Sequence, residues 1–523
     1  MIKTDIKLPI RYSGDDIVAA VCASLPVSAD ELSDIRIVKR TLSVADPSDP
    51  HYRTTVAMEL DPEREAGLLK MRKKVFAYEP FRYIAPSSEL DHRPVVVGAG
   101  PAGIFAALTL AEAGARPIVI ERGMPVEERK KCVDRFNLTG VLDPESNVQF
   151  GEGGAGAFSD GKLKCGAKDK YKVKILEEFV GAGADESILY SSSAHLGTDK
   201  LPSIICNLRR KIIALGGEFI FSARLVRLGV SDGKLESVTF FKDGVEETLE
   251  TRSVILAIGH SAEDTLRMLY SLGLPMSSKG FGIGARIEHR REYINKIVYK
   301  EACHSIDETA SYHLVTHLPS GRSVYSFCMC PGGTVVAAAS NEGGIVTNGM
   351  SEYARMAENS NSAILVSLTP ADFGSEHPLA GIELQRRIER QAFSVCGAYR
   401  APVEDLGSFL GEGECRSSVA PSYPRGTVRH PLDTVLPSFV TEAMAEAFSD
   451  FDAWLPGFST PEAVLTAPET RSTSPVRIER DGQGRAYGFS GIYPAGEGAG
   501  YSGGILSSAS DGMHAAESLL LTK

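Results

Sequence analysis

Apolar and polar positions alternate near the start of the chain. Ile6, Leu8 and Ile10 share one side of the alternation, as in a half-buried strand. "SGDD" follows, where Ser13 can cap a helix whose apolar positions Ile17, Val18, Val21 and Leu25 recur at helical spacing. Further strands are expected over 35–44 and 53–60, and a helix over 63–74. Residues 1–85 thus read as a small α+β module, with a ferredoxin-like order open to it. "YIAPSSELDHRP", 83–94, has the Pro, Ser and charge of a linker.

The pattern changes at Val95. "PVVVG" is continuously apolar, as a strand buried on both faces should be. A helix is expected from about Pro101 to Ala113, stopped by Gly114, and "PIVIERG" is the next strand. A helix near 203–215, strands near 218–228, 236–241 and 247–250, and the apolar strand "SVILAIG" follow. Residues 286–430 show strand-like runs between Gly/Pro-rich turns, and 491–521 return to strand, glycine loop and helix. The fold class expected is α/β. A split Rossmann-like domain covers 90–285 and 431–523, an α+β substrate domain is inserted over 286–430, and the small module precedes them.

Composition narrows the function classes. The chain is 523 residues long, 43% hydrophobic and 24% charged, ordinary for a globular protein with a large core. A net charge of −11 disfavours nucleic acid and anionic membrane as partners, since both attract basic surfaces. Nine cysteines without a CxxC suit a reducing cytosol, and no apolar signal core follows Met1, so a cytoplasmic location is expected. The run 95–115 is long enough to span a bilayer. Its early glycines and proline, and Glu112 near its end, favour a buried strand, turn and helix instead.

Chemistry enters with "VVVGAGPAG", which sets Gly98, Gly100 and Gly103 at GxGxxG spacing. The first glycine permits a tight turn, the second lets a pyrophosphate approach the backbone, and the third lets helix and strand pack closely. The helix start then offers free N–H groups to phosphate, and Glu121 ends the next strand, where it can accept from an adenosine ribose. Near the C-terminus a strand leads to Gly496 and Glu497, and a glycine loop opens a helix near Gly503. That closing element favours FAD over NAD, because the helix N-terminus would place partial positive charge at the flavin's N1/O2 edge. Gly259 and the backbone near Leu225 are expected beside the adenine half. No second GxGxxG follows a strand, so NAD(P)H as an electron donor would have to bind transiently or in the substrate cavity.

On "VVVGAGPAGIFAALTLAEAG", "NVQFGEGGAGAFSDGKL", "HLGTDKL", "GARIEH", "FCMCPGG", "ETRSTSPVRI" and "YPAGEGAGYSGGILSSASDG" the chain resembles FAD-dependent oxidoreductases of the glutathione-reductase-like superfamily. More closely, it is similar to a bacterial group labelled NAD(FAD)-utilizing dehydrogenases or FAD-dependent proteins. The resemblance runs from about Arg93, and Glu497 stands where such families usually carry Asp. It implies noncovalent FAD held by Gly98, Gly100, Pro101, Ala102, Gly103, Glu121, Arg122, Arg129, Leu225 and Gly259 on one side. Gly496, Glu497, Gly503, Gly504 and Ile505 would hold it on the other. It also implies that "GEGGAGAFSDGKL", 151–163, runs along the isoalloxazine ring through Gly153, Gly154, Phe158 and Ser159, with Ser159 or Lys162 near the reacting edge. A surface loop without special role is the ordinary alternative.

Other candidates have two readings each. Cys328 and Cys330 would share one face of a strand, as a redox pair, a thiol nucleophile, half a metal site, or two small buried hydrophobes. Arg286 can clamp a substrate carboxylate or pair with a neighbour within the protein. Arg471 can face the active site or form a structural ion pair, and His377 can be a general acid or base or a structural residue. No metal site is expected. The function expected is hydride transfer between flavin N5 and a small-molecule substrate or NAD(P)H. A monooxygenase or reductase acting on an apolar substrate stays open, as does an FAD-bound sensor or scaffold engaging a protein partner through the N-terminal module.

Overall fold

Three valines sit at the centre of the parallel sheet. The chain was studied as a computed structural model that describes residues 1–70, 74–163, 169–413 and 417–522. Val95–Val97 is the middle strand of a five-stranded sheet whose order is Ile492–Pro494, Val254–Leu256, Val95–Val97, Ile118–Ile120 and Glu218–Ile220. All four pairings are parallel. Alternate residues face two different cores, which is why no polar residue interrupts the strand. Val96, Val119 and Ile255 pack under the helices Pro101–Glu112, Ile505–Leu521, Lys172–Gly181 and Leu201–Ala214. Val95, Val97, Ile120 and Leu256 pack under an antiparallel meander of Arg224–Ser231, Lys234–Lys242 and Val245–Glu250.

The inserted unit is a seven-stranded sheet in the order Val315–His317, Ser323–Cys330, Asn359–Leu368, Phe281–Arg290, Val464–Glu469, Ala401–Asp405 and Thr427–Arg429. It packs on the helix Ser438–Trp454 through Val440, Met444, Phe448 and Phe451. This corrects the boundaries expected at 286 and 430: the sheet begins at Phe281 and ends with Glu469. Phe281–Arg290 is buried almost throughout, so its apolar positions carry no alternation to mark where one unit stops. The chain leaves and re-enters the parallel sheet through the antiparallel pair Met276–Ser278 and Val476–Ile478.

The N-terminal residues form a separate sheet in the order Ser33–Ser43, His51–Glu59, Ile2–Pro9 and Phe76–Ala77, with helices Gly14–Ser24 and Pro62–Leu69. Ser13 caps the first helix in a capping box with Asp16. The second helix ends at Leu69, and residues 71–73 of the expected 63–74 helix lie outside the described residues. The module docks by its own backbone: Arg40 donates its N–H to the Tyr190 carbonyl at 2.8 Å and accepts from Ser192 at 3.0 Å. Among the described residues no helix is long and apolar enough to cross a membrane.

Packing fixes the third glycine of the turn. A Cβ on Gly103 would lie 1.8 Å from the Gly98 carbonyl oxygen. Gly103→Ala should therefore lower stability by about 1–3 kcal/mol, the scale of overpacking a close contact. Denaturant unfolding checks this, and an unchanged midpoint would show that helix and strand can part without cost.

Candidate functional site

A cleft of about 440 Å³ opens at the carboxyl ends of the parallel strands, where sheets of this kind place their ligands. Val97, Ala257 and Ala495 mark those ends in its lining. Two helices begin there, at Gly100 and Gly504; neither N-cap residue offers a side-chain acceptor to the first turn, and at the second the Gly504 N–H itself donates to Ser507 Oγ at 3.1 Å. Their first N–H groups and the positive ends of their dipoles are thus left for a ligand. The helices are held side by side by Gly512, whose Cβ would come within 2.0 Å of the Ala102 carbonyl oxygen.

The glycines fall into two sets. At Gly98, Gly103 and Gly512 an added Cβ would strike backbone of the protein itself. Gly100 is different, because its Cβ would meet nothing nearer than the Gly154 Cα at 3.7 Å. Gly503 has nothing within 4 Å, and Gly504 only the Ser507 Oγ at 3.7 Å. All three line the cleft. Protein packing does not require glycine there, and the space they keep clear belongs to the cleft.

Arg129 holds the 147–154 segment. It is fully buried, and its guanidinium donates to the carbonyls of Asn147, Val148, Gly151, Glu152 and Gly154 at 2.7–3.2 Å. It also lies over the Phe158 ring, 4.8 Å from the centroid. Burial pushes its pKa down to about 10, opposed by the charges of Glu121 and Glu152. Gly151, at φ +117°, has no room for a side chain because a Cβ would lie 2.4 Å from Arg129 Cδ. Gly153 closes on Ile205 and Gly154 on Gly100 in the same way. Arg129, Gly153 and Phe158 do not line the cleft and instead shape the chain that does, and Gly103 has the helix–strand packing role that its place in the motif implied. Gly154, Gly156, Ser159, Gly161 and Lys162 do line it, and Gly156 faces Ile505. The 151–162 loop and the start of the C-terminal helix are thus brought together.

Glu121 lines the cleft, but its carboxylate already accepts from the N–H groups of Ala99, Gly123 and Gly151 at 2.8, 2.9 and 3.0 Å. It ties the glycine turn to the 151 loop, leaving capacity on Oε2 for one further donor. Arg122 lies over Phe150 and pairs with Glu145 and Asp264. Pro101, Ala102, Leu225, Gly259, Gly496 and Ile505 also line the cleft. Glu497 lies 3.9 Å from His260 Nδ1, and burial pushes its pKa up to about 7. His260 Nε2 and Ser261 Oγ are buried without partners. Both follow the apolar strand "SVILAIG", and their place just past its carboxyl end was the signal that could have found them. Tyr312, His313 and Asn348 also line the cleft and stand in no recognisable pattern.

The inserted sheet forms the opposite wall. Arg286 is not a substrate clamp. Its five N–H groups are used by Glu469 (2.7 and 3.0 Å), the Cys328 carbonyl, Asn361 and Asn348, and it is fully buried. Arg471 lines the cleft but pairs with Glu389 through two bonds and with Ser340 through a third. His377 is corrected as an acid or base: it is exposed, accepts from the Leu379 N–H and packs on Tyr270. Lys162 reaches the cleft with one weak neighbour, Asp160 at 3.5 Å.

Cys328 and Cys330 do not share a face as expected. The strand bulges between Phe327 and Cys330, and Cys328 takes φ +45°. The bulge turns Cys328 into the cleft and leaves Cys330 buried, its thiol donating to the Cys328 carbonyl at 3.1 Å. Interaction with Cys330, then the charges of Lys162 and Arg286, hold the Cys328 thiol below the ordinary thiol range, while burial pushes Cys330 up.

Residues 280–472 match the family described as "FAD-dependent protein, C-terminal domain-like", and 93–128 match "FAD binding domain". An uncharacterized protein of Clostridium beijerinckii is 43% identical over 510 residues, covering 96% of this chain and 95% of its own length. Among solved structures, 3-ketosteroid-Δ4-(5α)-dehydrogenase from Rhodococcus jostii is 13% identical with a TM-score of 0.36, covering 84% of this chain and 100% of that one. Quinol fumarate reductase of E. coli is 13% identical with a TM-score of 0.34, covering 82% and 69%.

Cys328 should alkylate as a thiolate. Its rate with iodoacetamide should persist to lower pH than that of an ordinary thiol, because its thiolate is favoured by Cys330, Lys162 and Arg286. Mass-resolved labelling reads this, and a rate that falls tenfold per unit below pH 8 would contradict it.

Proposed function

The chain belongs to a family of FAD-dependent flavoproteins, and on that premise we propose that this oxidoreductase passes hydride between flavin N5 and a small-molecule substrate or NAD(P)H. The observation that carries the reading is the pair of uncapped helix N-termini opening into one cleft, fronted by glycines that protein packing does not require. The residues fit the cofactor. Two sets of free N–H groups suit its diphosphate and the polar edge of its ring, and the buried, unpartnered His260 Nε2 and Ser261 Oγ supply unused polar atoms.

Bound FAD supplies a two-electron acceptor that no side chain can replace. The protein's own work is positioning. The turn at Gly98 to Gly103 would direct N–H groups at the diphosphate, and Glu121 Oε2 would accept from a ribose hydroxyl. The helix starting at Ile505 would set positive potential at the N1/O2 edge. The 154–162 segment, held by Arg129 at Gly154 and Phe158, would be the floor under the ring. Tyr312, His313 and Cys328 form the wall that a hydride donor must pass. The arrangement is read as a split Rossmann-like FAD domain with an inserted substrate domain.

Gly100→Ala separates cofactor from fold. The added Cβ has room within the protein, so unfolding of the cofactor-free protein should change by less than about 0.5 kcal/mol. FAD affinity should fall at least tenfold, or about 1.4 kcal/mol. Equal FAD affinity would remove the diphosphate from this turn. The reading as a whole is tested by purifying the protein and titrating it anaerobically with NADH, NADPH and a metabolite library. A yellow protein with one noncovalent FAD per chain, bleached by at least one donor, is expected. A folded protein that binds no added FAD would overturn it.

A further inference from the structure

Behind Lys162 lies a second cavity, of about 280 Å³, that the proposed FAD site does not use. Lys162 lines both this cavity and the cleft, so the two meet at its side chain. The outer wall comes from the N-terminal module, through Arg40, Leu42, Val44 and Tyr52. The inner wall is the serine run at 191–193, Glu308 and Arg355.

The cavity's charges do not balance. Arg40 forms no ion pair with a carboxylate among the described residues. Its guanidinium donates to Tyr12 Oη at 2.8 Å and is set against the rings of Tyr52 and Tyr190, 4.8 and 5.2 Å from their centroids. Lys162 and Arg355 share one carboxylate, Asp160, at 3.5 and 3.4 Å, and Arg355 Nε has no partner. Glu308 is the one carboxylate lining the cavity, and it accepts from Tyr52 Oη at 2.6 Å. Three cations thus face two carboxylates, one of them set behind. A guanidinium set against aromatic rings with donors to spare matches a planar or tetrahedral oxyanion.

We propose that this cavity is the substrate chamber, that it takes a small molecule bearing an oxyanion, carboxylate or phosphate, on Arg40, and that the N-terminal module exists to supply that guanidinium. The identification as a substrate chamber rests on the flavin reading; anion binding at Arg40 does not. The backbone pairing of Arg40 with Tyr190 and Ser192 fixes the module where Arg40 closes the chamber. Lys162 stands between the chamber and the cleft, so an anionic head in the chamber would set the rest of the molecule towards the flavin side. This takes over the anchoring role that the sequence assigned to Arg286.

The test is calorimetric titration of the FAD-loaded protein with inorganic phosphate and, separately, with malonate. Wild type should bind at least one of them, and which one distinguishes phosphate from carboxylate chemistry. Arg40→Met should weaken that binding tenfold or more while FAD content and the visible spectrum stay as in wild type. Lys162→Met, on the other wall, should also weaken it and serves if Arg40→Met does not fold. Failure of both anions to bind wild type, or equal affinity in the variants, would overturn the chamber. A protein without FAD that still binds the anion through Arg40 would keep the anion site and remove the flavin reading. A yellow protein without Arg40-dependent binding would do the reverse.

Discussion

A guanidinium buried without a carboxylate in contact shapes the centre of this molecule. Arg129 spends its donors on five backbone carbonyls of one short segment. Burying such a charge is costly unless every donor is satisfied, and the lowered pKa records that cost. The carbonyls can converge only if the chain curls tightly, and the curl needs positive φ at Gly151, Gly153 and Gly154. The glycine run at 151–156 is therefore first a consequence of Arg129. The same curl presents little side chain towards the cleft, which Gly154 and Gly156 line.

Glu121 extends the constraint to the nucleotide turn. One carboxylate joins Ala99, Gly123 and Gly151, so the turn and the curled segment move together. The C-terminal helix is locked to the first by Gly512 against Ala102. Residues far apart in the chain thus converge at one cleft with helix starts that need an external partner. The inserted unit joins the parallel sheet through the antiparallel pair at 276–278 and 476–478, and Val336, Ala338 and Val346 pack it into the core under the first helix.

What the sequence made legible was local. Continuous valines, glycines at fixed spacing, a carboxylate at a strand end and a capping serine each have a cause within a few residues, and the structure has each in its expected element. What it hid depends on distant partners. Nothing near Arg286 shows that Glu469 will neutralise it, and nothing near Arg129 shows that it will turn towards carbonyls rather than the cleft. The Cys328 bulge is set by register against 361–363, which strand alternation cannot reveal. The domain edge at 281 was hidden because a strand buried on both faces has the same pattern in either domain.

The arginines show how charge is apportioned. Arg286 and Arg471 are each neutralised by a buried glutamate in two-bond contact. Such a pair is too well satisfied to trade its partner for a substrate, since leaving a buried glutamate unpaired would cost more than an incoming anion returns. Availability, more than nearness to the cleft, decides which cation can bind. By that measure the central arginines tie strands and helices of the inserted unit to one another. Arg40, kept from carboxylates and oriented by tyrosine rings, retains its charge for a ligand. It comes from the N-terminal module, so its positive charge lines the second cavity and not the cleft. On the proposed reading, an anionic substrate held there would keep its charge away from the electron-accepting centre, where a second negative charge would oppose reduction.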